Sequence, residues 1–279
     1  MFSRNKVIAA LVALTFLVVV LFLFLRGLEF AVTFHPVRYS ANEDWQLPDG
    51  AADVWLTTAD HVRLHGWFFR SAKPAVATVI SFHGNAGNVS DVGWMGGRLR
   101  ERGFDVLIFD YRGYGRSEGE STSEQTVYAD ADAAYDYVVQ KLGVKPEQVV
   151  LYGQSLGTTA VVDVASRKRC GAVILESGLS SASDMTTEIL PWLPRPLHLL
   201  TRNRFDSQGK LAQVRCPVLI THGEPDPIVP TNQGRKLFAA ANEPKELLIY
   251  PGAGHNVFGS QGNAYLNVIR DFIRKSLNK

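Results

Sequence analysis

Apolar and polar positions divide the chain into two unlike parts. From Val7 to Leu25 every residue is apolar except Thr15. As a helix this run would span about 28 Å at ~1.5 Å per residue, close to the ~30 Å hydrocarbon core of a bilayer. A core helix would be amphipathic or shorter. A cleaved signal sequence is the competing reading, but its apolar region usually covers about 7–15 residues and ends in a small-x-small site. The residues after the run, Arg26-Gly27-Leu28-Glu29-Phe30, offer none. The expectation is an uncleaved transmembrane anchor over residues 1–26.

Residues 27–52 contain Pro36 and the turn-like Pro48-Asp49-Gly50, and read as a juxtamembrane linker. Two strands follow over 54–57 and 62–68, joined by a turn at Ala59-Asp60. Short apolar runs then mark strands over 77–82, 106–109, 149–152, 172–175, 218–221 and 246–250. They lack period-2 polarity, as expected of parallel strands buried on both faces. Helical stretches lie near 91–102, 124–141, 156–168, 231–241 and 261–277. Residues 177–212 break the alternation. Three prolines in Ile189-Leu190-Pro191-Trp192-Leu193-Pro194-Arg195-Pro196-Leu197 forbid one regular helix, so this stretch reads as a cap or lid insertion. The predicted fold is α/β, a doubly wound, mostly parallel sheet over 53–279, with its active site at the carboxyl ends of the strands.

Composition narrows the picture only slightly. Hydrophobic residues make up 46% and charged residues 20%, with a net charge of +2 and no basic cluster. No electrostatic footprint for nucleic acid is present. Arg4, Lys6 and the amino terminus precede the apolar run, while Arg26 and Arg38 follow it. The slim excess favours a cytoplasmic N-terminus with the main domain outside, periplasmic in a bacterium. Cys170 and Cys216 fit no metal spacing. Each stands two residues before one of two strands that should be neighbours, so a disulfide between them is conceivable in an oxidising compartment.

The chemistry-bearing motifs fall at strand ends. Gly153-Gln154-Ser155-Leu156-Gly157 follows one strand and opens a helix, the context a nucleophile elbow requires. The sharp turn exposes the hydroxyl, and the two glycines keep side chains out of the crowded space beside it. In the order Ser…Asp/Glu…His, Asp226 of His222-Gly223-Glu224-Pro225-Asp226 is the expected acid. Glu176, at the end of the preceding strand, is its competitor. His255, in the Gly-rich Pro251-Gly252-Ala253-Gly254-His255-Asn256, is the expected base; His83 and His222 read as structural. An oxyanion hole needs two backbone N–H groups, assigned here to Leu156 and to Asn85 of His83-Gly84-Asn85-Ala86-Gly87-Asn88. Arg112 and Arg116, in Asp110-Tyr111-Arg112-Gly113-Tyr114-Gly115-Arg116-Ser117, could bind an anionic substrate, but local pairing is the more ordinary use.

From about residue 53 the chain resembles the α/β-hydrolase superfamily. The resemblance extends to a membrane-anchored branch marked by His-Gly-Asn-Ala-Gly-Asn, Asp-Tyr-Arg-Gly-Tyr-Gly-x-Ser, Gly-x-Ser-Leu-Gly and His-Gly-x-x-Asp-x-Ile-Val-Pro. Relatives in that branch include lysophospholipid and monoacylglycerol lipases and protein depalmitoylases. The resemblance implies a serine hydrolase of carboxylic esters or thioesters, working on small-molecule or lipid acyl substrates with no metal or organic cofactor. A peptidase or acyltransferase with the same triad is the rival among enzymes. A catalytically inactive fold used as a binding module is the rival outside them. The insertion's Ile189, Leu190, Trp192, Leu193, Leu197, Leu199 and Leu200 either cover the core or touch lipid and admit acyl chains. On the linker reading, a chain starting near Ala51 should be soluble and still cleave short esters.

Overall fold

The computed structural model describes residues 4–40, 45–198 and 201–277. Eight strands form the main sheet: β1 (Ala51–Thr57), β2 (Arg63–Phe69), β3 (Thr78–Phe82), β4 (Asp105–Phe109), β5 (Val149–Gln154), β6 (Ala172–Glu176), β7 (Val218–Glu224) and β8 (Lys245–Pro251). Their order is β8-β7-β6-β5-β3-β4-β2-β1. Strand β2 runs antiparallel to both its neighbours, and every other pairing is parallel. The winding reverses at β3, which has β4 on one side and β5 on the other. A crevice for ligand belongs at the carboxyl ends of such strands.

Successive residues on the central strands feed two different cores, which is why no polar alternation shows. Ile80, Leu107, Leu151 and Leu175 pack in one cluster with Val127 and Ala131 and with Ala160, Val161 and Val164. Val79, Val106, Ile108, Val150 and Ile174 pack in the other, with Met95, Leu99, Leu266, Ile269 and Ile273. The covering helices are α2 (Val89–Arg100), α3 (Glu124–Asp136, continued by a wider turn to Lys141) and α4 (Gly157–Arg167). Beyond them come α5 (Ala182–Ile189), α6 (Arg195–His198), α7 (Ser207–Leu211), α8 (Asn232–Ala240), α9 (Val257–Gln261) and α10 (Asn263–Leu277). Asn88 caps α2 and Ser123 caps α3, each in a reciprocal capping box with the residue three further on.

Three expectations change. The N-terminal helix α1 (Arg4–Thr33) does not stop with the apolar run. Arg26 pairs with Glu29 at 2.8 Å within it, and Glu29 accepts the amides of Arg202 and Asn203 at 3.1 and 2.8 Å. Nor are residues 27–52 a free linker. Phe34 is buried in the core, and His35–Pro36 pair in parallel with Ala86–Gly87. The insertion also narrows. Phe205 and Leu211 are buried in the main core, so the part standing clear of it centres on α5 and α6. There Ile189, Leu190 and Trp192 are exposed, Trp192 by 75%, so these three do not cover the core. Leu199 and Leu200 lie outside the described residues. The Sγ atoms of Cys170 and Cys216 lie 3.2 Å apart and unbonded.

Candidate active site

The turn between β5 and α4 carries the serine. Ser155 has φ 52, a left-handed conformation that costs a non-glycine residue ~1 kcal/mol or more and here is imposed by its surroundings. A Cβ on Gly157 would lie 2.1 Å from the Phe82 carbonyl oxygen, and one on Gly153 would lie 2.7 Å from the Gly157 carbonyl carbon. Only glycine lets β3, β5 and α4 meet this closely. The Ser155 amide donates to the Glu176 carbonyl at 2.9 Å, and its carbonyl accepts from the amide and hydroxyl of Thr158 at 3.0 and 2.7 Å. No side chain caps the N-terminus of α4, so the positive end of its dipole is left beside the serine.

Asp226 and His255 come together across two loops. His255 Nδ1 lies 2.8 Å from Asp226 Oδ2, whose other oxygen accepts the amides of Ile228 and Val229 at 2.8 and 2.9 Å. His222 Nε2 donates to the Val229 carbonyl at 2.8 Å and also lies 3.2 Å from Asp226 Oδ2. Burial pushes the Asp226 carboxyl up, but the bonds from His222, His255 and the two amides outweigh it and hold the group well below the usual carboxylate range. An aspartate fixed as an anion on Nδ1 leaves Nε2 of the imidazole to exchange a proton with a hydroxyl. The loop's position depends on Gly223, where a Cβ would lie 1.9 Å from the Gly254 carbonyl oxygen.

The competitor, Glu176, is engaged elsewhere. Its fully buried carboxylate accepts the Phe258 amide at 3.0 Å and Gln154 Nε2 at 3.3 Å, and also bonds the Tyr152 hydroxyl. Burial pushes this carboxyl up in pKa. It ties the start of α9, just past His255, to the strand that carries Ser155. Sequence reasoning missed this part because the partners stand 82 residues apart.

The loop after β3 brings Asn85 to the same end of the sheet. Among the described residues, neither the Asn85 nor the Leu156 amide donates a backbone hydrogen bond. His83 Nδ1 donates to the Gly84 carbonyl at 2.8 Å. That carbonyl and the Asn85 N–H belong to one peptide plane, so the histidine sets the direction of the amide. On the other side of Asn85, its carbonyl accepts from the His35 amide and the Tyr114 hydroxyl, each at 2.9 Å. The sequence carried no signal for the part His35 plays.

Both arginines of the 110–119 loop are spent internally. Arg112 bonds Asp130 at 2.8 Å and Asp60 at 2.8 and 3.0 Å. Arg116 stacks 4.5 Å over Tyr39 and 5.3 Å over Trp45, with Asp53 at 3.6 Å. The local reading of these residues holds. No cluster of three or more His, Cys, Asp or Glu suited to a metal occurs among the described residues.

A strand–turn–helix elbow after β5, with an Asp–His pair on loops at the same carboxyl ends of the sheet, is the arrangement of α/β-hydrolases. Residues 77–210 match the family described as alpha/beta hydrolase fold, and residues 201–261 match that described as serine aminopeptidase, S33. The chain is 33% identical over 298 residues to the uncharacterized protein YfhR of Salmonella typhi, covering 98% of this chain and 97% of that one. It is 32% identical to alpha/beta hydrolase domain-containing protein 17B of Xenopus laevis, covering 86% of this chain and 83% of that one. The chain therefore belongs to the α/β-hydrolase family. An esterase from Pyrococcus furiosus shares the fold, with a TM-score of 0.69 and 20% identity over 88% of this chain and 98% of that one.

Proposed function

We infer that this hydrolase cleaves carboxylic esters or thioesters through Ser155, His255 and Asp226. The observation that carries the reading is the 2.8 Å contact of His255 with an Asp226 kept anionic, at the strand ends where Ser155 is held in the elbow. In the first step the Ser155 hydroxyl attacks the acyl carbonyl while His255 takes its proton. The amides of Asn85 and Leu156 receive the oxyanion, and the helix dipole of α4 adds to them. His255 then protonates the leaving alcohol or thiol. A water, deprotonated by His255, attacks the acyl-enzyme, and His255 returns that proton to the Ser155 oxygen as the acid leaves. Apart from that water, each of these steps draws on the chain's own residues.

The substrate we favour is an acyl lipid or lipidated molecule at a membrane. Among the described residues one helix, over Leu11–Thr33, is apolar enough to cross a bilayer, at a mean hydropathy of 2.7. We take it as an uncleaved anchor with a cytoplasmic N-terminus. The cavity lined by His83, Tyr152, Gln154, Asn256 and Phe258 holds about 60 Å³, room for a few waters, and Ser155 is not among its lining residues. A long chain would instead run along the exposed Ile189, Leu190 and Trp192. A second reading, cleavage of an N-terminal peptide bond, is favoured only by the serine-aminopeptidase match.

Ser155→Ala should lower kcat on a 4-nitrophenyl ester by several orders of magnitude while leaving the melting temperature unchanged. A variant keeping a tenth of the wild-type rate would remove Ser155 as nucleophile. Faster turnover of aminoacyl 4-nitroanilides than of any ester would favour the peptidase.

A further inference from the structure

The segment that leaves the N-terminal helix does more than connect. Phe34 is buried at 2% exposure in the core that also holds Tyr111 and Tyr114. One residue later, the His35 amide donates to the Asn85 carbonyl at 2.9 Å. Val37 O then accepts the Gly115 amide at 2.9 Å and Asn88 Nδ2 at 3.3 Å. The Tyr39 amide donates to Gly115 O at 2.8 Å, and Arg38 reaches Gly119 O at 3.0 Å. Six residues thus lie as a strap across two loops, the one carrying Asn85 and the one following β4.

The consequence is local and geometric. Direction of the Asn85 N–H depends on the two peptide planes that flank its Cα. The first is fixed by His83 through the Gly84 carbonyl, and the second by the His35 amide and the Tyr114 hydroxyl through the Asn85 carbonyl. An oxyanion donor acts through its aim, since it must point at where charge develops before the reaction begins. We propose that the strap, residues 34–39, is a positioning element of the oxyanion hole, so that turnover depends on how the membrane helix is seated on the domain. One turn earlier, Glu29 holds the amides of Arg202 and Asn203 beside the insertion. The helix end therefore grips both the oxyanion loop and the insertion. The inference rests on the serine-hydrolase reading and on Asn85 as donor. It reverses the expectation that a chain starting near Ala51 would keep its activity.

His35→Pro in the full-length protein, in detergent micelles, removes the one N–H and leaves the loop's own sequence intact. With 4-nitrophenyl acetate, kcat should fall at least about tenfold, up to the 10²–10³ that loss of a whole oxyanion donor costs. KM should stay within twofold. Affinity for a trifluoromethyl ketone, which forms a tetrahedral adduct on the serine, should weaken by the same factor as kcat. His35→Ala, which keeps the amide, should restore wild-type values. An unchanged kcat, or a fall in kcat with unaltered ketone affinity, overturns the proposal. Should His35→Pro fail to unfold cooperatively, Tyr39→Pro carries the test at an exposed position by cutting the bond to Gly115. It should lower kcat about threefold or more at constant KM, and an unchanged kcat again overturns the proposal. Ser155→Ala assayed alongside separates the two claims, because its activity would sink the serine-hydrolase reading whatever the strap variants do.

Discussion

The two ends of the eight-stranded sheet place different demands on their residues. At the carboxyl ends stand a serine with positive φ, two buried carboxylates and a histidine on a glycine-rich loop. At the amino ends stand Cys170 and Cys216 with their sulfurs in contact, and surface pairs such as Arg169 with Glu147, 3.8 Å apart and 88% and 65% exposed. Pairs of the latter kind contribute ~0–1 kcal/mol. The same backbone thus holds strain and buried charge at one edge and almost none at the other. Substitutions at the carboxyl edge should change rate or both rate and stability, and those at the amino edge stability alone.

Asp226→Asn should sharpen that contrast most. It keeps the loop but leaves the imidazolium without its anion, lowering kcat by up to ~10⁴, or about 5.4 kcal/mol of barrier. Glu176→Gln, whose carboxylate serves Phe258, Gln154 and Tyr152, should lower kcat far less. A reversed order in initial rates would hand the acid's role to Glu176. The same variant has a thermal signature. The Asp226 pKa is depressed on folding, so its contribution to stability is present above the unfolded value of ~3.9 and disappears as pH falls through the lower folded one. The gap in melting temperature between wild type and Asp226→Asn should therefore narrow as pH is lowered from about 5 toward 2.

Gly157→Ala comes next. Its Cβ would meet the Phe82 carbonyl oxygen at 2.1 Å, a backbone atom that cannot swing aside. A loss of ~3 kcal/mol or more is expected, or a fall in Tm of roughly 6–12 °C for a domain of this size. A stable Gly157→Ala protein with full activity would show that the elbow is less tightly held than the contacts imply.

The candidates at the carboxyl edge were legible in the sequence, because an elbow is a local motif and the expected partners follow a fixed chain order. Ser155, Asp226 and His255 were each read from a few neighbouring residues at the end of an apolar run. The strap was not legible. His35-Pro36-Val37 has no periodicity, a proline suggested a linker, and its bonds are backbone contacts to loops 50 and 78 residues away. The role of Glu176 escaped for the same reason. Helix α1 outran its apolar stretch because Glu29 found amides to accept in the insertion, which no hydropathy pattern records.

The smallest effect belongs to the amino edge. Oxidised glutathione should take the two hydrogens of Cys170 and Cys216 by thiol–disulfide exchange and close a loop of 46 residues. Such a bond typically adds ~2–4 kcal/mol. Intact mass should fall by two hydrogens and Tm should rise, with ester turnover unchanged. Two alkylated thiols after oxidation, or a change in kcat, would break the proposed division of labour between the edges.

The central claim is that one serine is activated by one histidine. Treating the full-length protein with a fluorophosphonate and mapping the adduct by peptide mass spectrometry tests it most directly. A single adduct on Ser155, lost in His255→Ala, is the predicted result. An adduct on another residue, or undiminished labelling of Ser155 without His255, would contradict it.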